Sequence, residues 1–114
     1  MSKPIDHLLG ERYHRQANNC LHFTARAWEY LTGDTRLRAL QEGDMASMRS
    51  VLRAFRQVDG PTVEPAVMVM EYPYGDTHMG VCYQRRLLQL TQKGASFFDI
   101  HIAQIMYRHL RYYQ

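Results

Sequence analysis

The sequence predicts an α+β fold, with helices early in the chain packed on an antiparallel sheet formed later. Three observations predict it. Apolar residues recur at helical spacing in the first half, at Cys20, Phe23, Ala27 and Leu31 and again at Met48, Leu52 and Phe55. Asp59-Gly60-Pro61 then stops the helical pattern, since proline lacks a backbone N–H and glycine tolerates turn geometry. Beyond it lie short runs rich in β-branched and aromatic residues, punctuated by glycine, which read as strands. Helices first and strands later is the segregation that defines the class.

The elements follow in order. Residues 1–17 are polar and mixed, and 1–12 read as a leader to a single domain spanning 1–114. Asn18 and Asn19 precede CLHFTARAWEYL, where an asparagine side chain accepts a free N–H of the first turn and starts a helix. Gly33 ends it, because glycine adopts the left-handed conformation at low cost. Asp34 or Thr35 caps a short helix over 35–41 that stops at Gly43. Asp44 caps a third helix, MASMRSVLRAFRQV, with Met45, Val51 and Val58 flanking its apolar stripe. Ala66 to Met70 reads as a buried strand, and Tyr72 to Asp76 as a loop. His78 to Tyr83 and Leu87 to Thr91 read as two strands joined by a tight turn at Gln84-Arg85-Arg86, a turn without the usual Asn-Gly signal. Gly94 marks another turn. A strand over Ser96 to Ile100, a short helix from Ile102 to Tyr107 and a last strand from Leu110 to Tyr113 complete the chain.

Composition excludes several classes. The 114 residues suit one domain able to bury a core without staples. Apolar residues are 46% and charged residues 22%, a globular balance and not a disordered or membrane one. A net charge of +3 permits contact with anionic surfaces without arguing for it, and no nucleic-acid partner is expected. The opening MSKPIDHLLGERYHRQ holds no apolar run long enough for a signal peptide or a membrane span. A protein of this kind acting outside the cell that makes it needs a carrier, such as a virus particle. The two cysteines, Cys20 and Cys82, form no disulfide framework and are expected to be reduced.

Three residues attract attention as chemistry. Cys20 starts an amphipathic helix, where free N–H groups and the helix dipole favour a thiolate and can cradle an oxyanion. The alternative is a buried core cysteine. His78 opens a strand directly after a loop, where an imidazole can face a cleft; the alternative is a surface histidine. The tight turn at 84–86 brings Gln89 roughly opposite His78, where its amide can fix the ring tautomer. The alternative is a glutamine on the solvent face of the sheet. No cofactor is indicated. His22, His78 and Cys82 lack the spacing of a metal site, so no metal is expected. Cys82 and the methionines read as core. Arg49, Arg53 and Arg56 read as a solvated helix face. The C-terminal YRHLRYY reads as an end strand or a docking surface.

Together these residues resemble the NlpC/P60-type papain-like cysteine peptidases. Tyr13 and Asn19-Cys20-Leu21-His22-Phe23 resemble the nucleophile motif of that family. Glu64 to Met70 resembles the strand before its histidine, and Thr77-His78-Met79-Gly80-Val81-Cys82-Tyr83 resembles its histidine strand. Leu87-Leu88-Gln89-Leu90 resembles the strand of its third polar residue. The small size and the Leu31-Thr32-Gly33-Asp34 helix exit look most like the versions found in the tail modules of tailed phages. The resemblance implies a papain-like α+β fold with Cys20 as nucleophile, His78 as base and Gln89 as the residue orienting it. Tyr13 and Asn19 would support the oxyanion and the helix start. It further implies a peptidase or amidase cleaving an amide bond in peptidoglycan stem peptides, or a non-catalytic tail-tip or tail-assembly component that keeps the fold. The implied partners are other phage tail proteins, in the virion tail or in the host cytoplasm during assembly. The chain differs from the family pattern at Leu21 and His22, where a small residue and glycine are usual. A histidine there is expected to crowd the cleft.

Overall fold

The computed structural model describes residues 3–41 and 45–114. The elements are α1 (Asp6–Leu9), α2 (Cys20–Thr32), a 3₁₀ helix (Arg36–Gln41), α3 (Met45–Leu52), β1 (Gln57–Val58), β2 (Ala66–Glu71), β3 (Thr77–Tyr83), β4 (Arg86–Thr91), β5 (Gly94–Asp99), α4 (Ile100–Met106) and β6 (Arg108–Tyr113). The strands form one antiparallel sheet in the order β1-β6-β2-β3-β4-β5. The fold is a small α+β domain. Among the described residues no helix is long and apolar enough to cross a membrane.

Helix α2 forms where the asparagine signal places it. The Asn19 Oδ1 accepts from the N–H groups of Leu21 and His22, at 2.9 and 3.2 Å. His22 Nδ1 in turn accepts from the Asn19 N–H at 3.2 Å, completing a reciprocal cap. At the far end Gly33 has φ 77°, and its N–H reaches Glu29 O at 2.7 Å. Asp34 caps the 3₁₀ helix by accepting from the Arg36 N–H at 2.9 Å. The proposed stop at Gly43 and cap at Asp44 lie outside the described residues.

The sheet is covered on both faces, so its central strands are buried nearly throughout. Val67, Val69, Met79, Val81, Leu88 and Leu90 pack with Phe23, Ala27 and Trp28 of α2. Met68, Met70, Cys82 and Leu87 pack on the other side with Ile100, Ala103, Tyr107 and Tyr112. A strand buried on both faces shows a continuous apolar run instead of alternation. The two-residue turn between β3 and β4 holds Gln84 and Arg85 at φ 55° and 58°, in place of the glycine or asparagine that favours such angles. Tertiary hydrogen bonds hold it there. The N–H groups of Gln84 and Arg85 reach Val63 O and Thr62 O, each at 2.9 Å.

Three segments differ from the sequence expectation. The third helix ends at Leu52 and does not continue to Val58. Its expected last turn is drawn into the sheet: Arg56 and Gln114 exchange backbone hydrogen bonds at 2.9 Å, and Val58 pairs with Tyr112. The C-terminal strand forms where expected but is longer than expected at its start. It lies between β1 and β2, and it starts at Arg108 beside a register shift against Val69/Glu71. Residues of the polar leader are packed: Ile5 and Leu8 are buried in the core with α2, and the Lys3 N–H donates to the Tyr83 hydroxyl at 2.8 Å.

Candidate active site

The start of α2 and the start of β3 meet at one cavity of about 860 Å³, lined by Tyr13, Asn19, Cys20, Tyr72, His78 and Lys93 among others. Cys20 is the first residue of α2 and is partly exposed. The backbone N–H groups of Met79, Cys20 and Leu21 all act on its sulfur to favour the thiolate. Burial outweighs them and pushes the thiol above its ordinary value. Met79 lies before the β3–β4 ladder, which runs from Val81↔Leu88 to Tyr83↔Arg86, and is paired with Val69 of β2 on its other side. Gly80 is required where the two strands approach, since a Cβ there would stand 2.7 Å from the carbonyl oxygen of Leu88.

His78 is 2% exposed. Its Nε2 lies 2.8 Å from Gln89 Oε1, a buried contact across the β3–β4 hairpin. A carboxamide oxygen only accepts, so Nε2 carries the proton and Nδ1 keeps its lone pair. The Tyr107 hydroxyl donates to the same Gln89 oxygen at 2.9 Å, and the Gln89 amide group donates to Ser96 Oγ at 3.4 Å. These contacts fix the amide's orientation. The Tyr72 hydroxyl stands 3.4 Å from Nδ1, and the Tyr107 ring stacks on the imidazole at 5.2 Å between centroids. Burial is the main cause of a His78 pKa lowered to about 4, with the Gln89 hydrogen bond partly opposing it. At neutral pH the pair is therefore a neutral thiol and a neutral imidazole. Among the described residues no hydrogen bond joins the Cys20 sulfur to His78.

Each residue singled out in the sequence has a definite place. Cys20, His78, Tyr13 and Asn19 line the one cavity, and Gln89 touches it through His78. Asn19 is occupied as the helix cap. His22 is turned back onto the Asn19 N–H and is not among the cavity's lining residues, so it does not crowd the cleft. Cys82 is buried in the core of the other face, with its thiol 3.4 Å from Thr62 O. Tyr72, Tyr107 and Ser96 were not singled out in the sequence. Tyr72 and Tyr107 flank the imidazole from a loop and from the C-terminus of α4, and only the fold brings these segments together. Among the described residues no three His, Cys, Asp or Glu side chains converge on a possible metal position. In comparisons with known proteins, no family model, no curated protein and no solved structure matches this chain.

Proposed function

We propose that this protein is a papain-like cysteine peptidase or amidase of the NlpC/P60 type, acting on an amide bond in peptidoglycan stem peptides as part of a phage tail. One observation carries the reading. His78 is clamped through Nε2 by Gln89, which leaves the unprotonated Nδ1 beside a cavity that a helix-start cysteine also lines.

In this reading His78 Nδ1 takes the thiol proton of Cys20 as the sulfur attacks the amide carbonyl carbon. The developing oxyanion is steadied by the Cys20 N–H and the Tyr13 hydroxyl. The imidazolium then gives its proton to the leaving nitrogen as the C–N bond breaks. Water, deprotonated by His78, releases the acyl group from sulfur. Gln89 accepts from Nε2 throughout and keeps the ring in register. Because the resting pair is neutral, the proton moves during attack and is not transferred beforehand. The Tyr72 hydroxyl has to turn away from Nδ1 for the thiol to engage it.

A second reading is a non-catalytic tail-tip or tail-assembly component that keeps the fold. It is favoured by the burial that raises the Cys20 thiol and lowers His78, and by the missing bond between them. Purified peptidoglycan separates the two. The peptidase reading expects new amino groups to appear with the native protein, and their rate to fall at least about a hundredfold in Cys20→Ala and in His78→Ala. No release by folded native protein between pH 5 and 9 would leave the structural reading standing.

A further inference from the structure

A second groove, of about 710 Å³, lies between α3 and the β2–β6 part of the sheet. Three guanidinium groups line it: Arg49 and Arg53, which are exposed and four positions apart, and Arg111 of β6. Arg111 is half-buried, and its Nε is fully buried with no hydrogen-bond partner. A buried donor on a cation normally has a partner, because burying it bare is costly. Among the described residues Glu71 is the one carboxylate lining the groove; its Oε2 faces His109 Nε2 at 4.0 Å and makes no ion pair with Arg111. Among the described lining residues three cations face one anion, and the Arg111 Nε donor is unpaired.

We propose that this groove binds the carboxylate of an acidic peptide, with Arg111 as its anchor and Arg49 and Arg53 closing over it. Two features select that ligand. A planar guanidinium fork matches the two oxygens of a carboxylate. The remaining wall is largely apolar, with Met48, Leu52 and Val69, which suits an aliphatic stem behind the charge. Thr77 lines both this groove and the Cys20 cavity, so a bound chain runs past the β2–β3 turn from one to the other. This site requires binding alone and stands whether or not the peptide is cleaved.

Titration calorimetry of the full chain with N-acetyl tri-glutamate tests it, with tri-glutamine amide and inorganic phosphate as the other arms. Saturable binding of tri-glutamate is expected, without matching binding of the other two. Arg111→Gln should weaken it about tenfold or more, the scale of a lost hydrogen bond to a charged group. The double variant Arg49→Gln/Arg53→Gln changes only exposed side chains and should weaken it similarly with unchanged thermal unfolding. Phosphate binding in preference to tri-glutamate would overturn the carboxylate assignment. Absent tri-glutamate binding, or binding indifferent to both arginine changes, would overturn the site.

Discussion

His78 carries a stability consequence whose sign is fixed by its burial. In the unfolded chain the imidazole takes a proton near pH 6.5, but in the folded protein only near pH 4. Between those values the unfolded state binds more protons, so stability is lost as pH falls through that window. The shift corresponds to about 3 kcal/mol. Urea unfolding at pH 7 and pH 4 should show that loss in the native protein and not in His78→Leu. Equal pH slopes in the two would mean that His78 is not held neutral. At this scale the sequence was informative about Cys20, His78 and Gln89, because residue type and position in the element carry chemical meaning. It was silent about Tyr72 and Tyr107, since nothing in a lone tyrosine marks it as the neighbour of an imidazole. It did not single out Arg111, which has no local feature to separate it from the other arginines of the tail.

Secondary structure follows local chemistry where local chemistry is strong. Asn19 and Gly33 bracket α2 as capping rules require, and Gly94, at φ 108°, turns β4 into β5. The exceptions are places where distant partners decide. The helical pattern of 53–58 yields to pairing with β6, because a backbone hydrogen bond to Gln114 fixes Arg56 outside the helix. The β3–β4 turn is the converse case, a left-handed pair held by Thr62 and Val63 against residue preference. Relieving that mismatch should stabilise the fold. Arg85→Gly removes a left-handed cost of about 1 kcal/mol, partly offset by the freedom glycine adds to the unfolded chain. A gain of roughly 0.5 kcal/mol in denaturant unfolding is expected. A loss would mean that the Arg85 side chain contributes more than its backbone costs.

The whole molecule has a radius of gyration of 12.7 Å, close to the roughly 13 Å expected for a single domain of this length. The class was readable from the order of helical and strand patterns, but the strand order was not. Placing β6 between β1 and β2 depends on contacts between the C-terminal segment and the middle of the chain, which no local pattern encodes. The same holds for the first residues: α1 is four residues long and offers no period, yet Leu8 is 4% exposed in the shared core. Leu8→Ala should therefore cost about 2–4 kcal/mol, as a buried leucine does, and not the near-zero cost of a loose leader. A change below about 0.5 kcal/mol in urea unfolding would show that segment to be detached.

The reading of the site turns on which nitrogen of His78 holds the proton, because only a bare Nδ1 can accept one from Cys20. Long-range ¹H–¹⁵N correlation spectroscopy of the imidazole measures this directly. At pH 7 the His78 ring is expected to be neutral with its proton on Nε2, and to charge only near pH 4. A proton on Nδ1 at pH 7, or an imidazolium there, would contradict a base held by Gln89 and aimed into the Cys20 cavity.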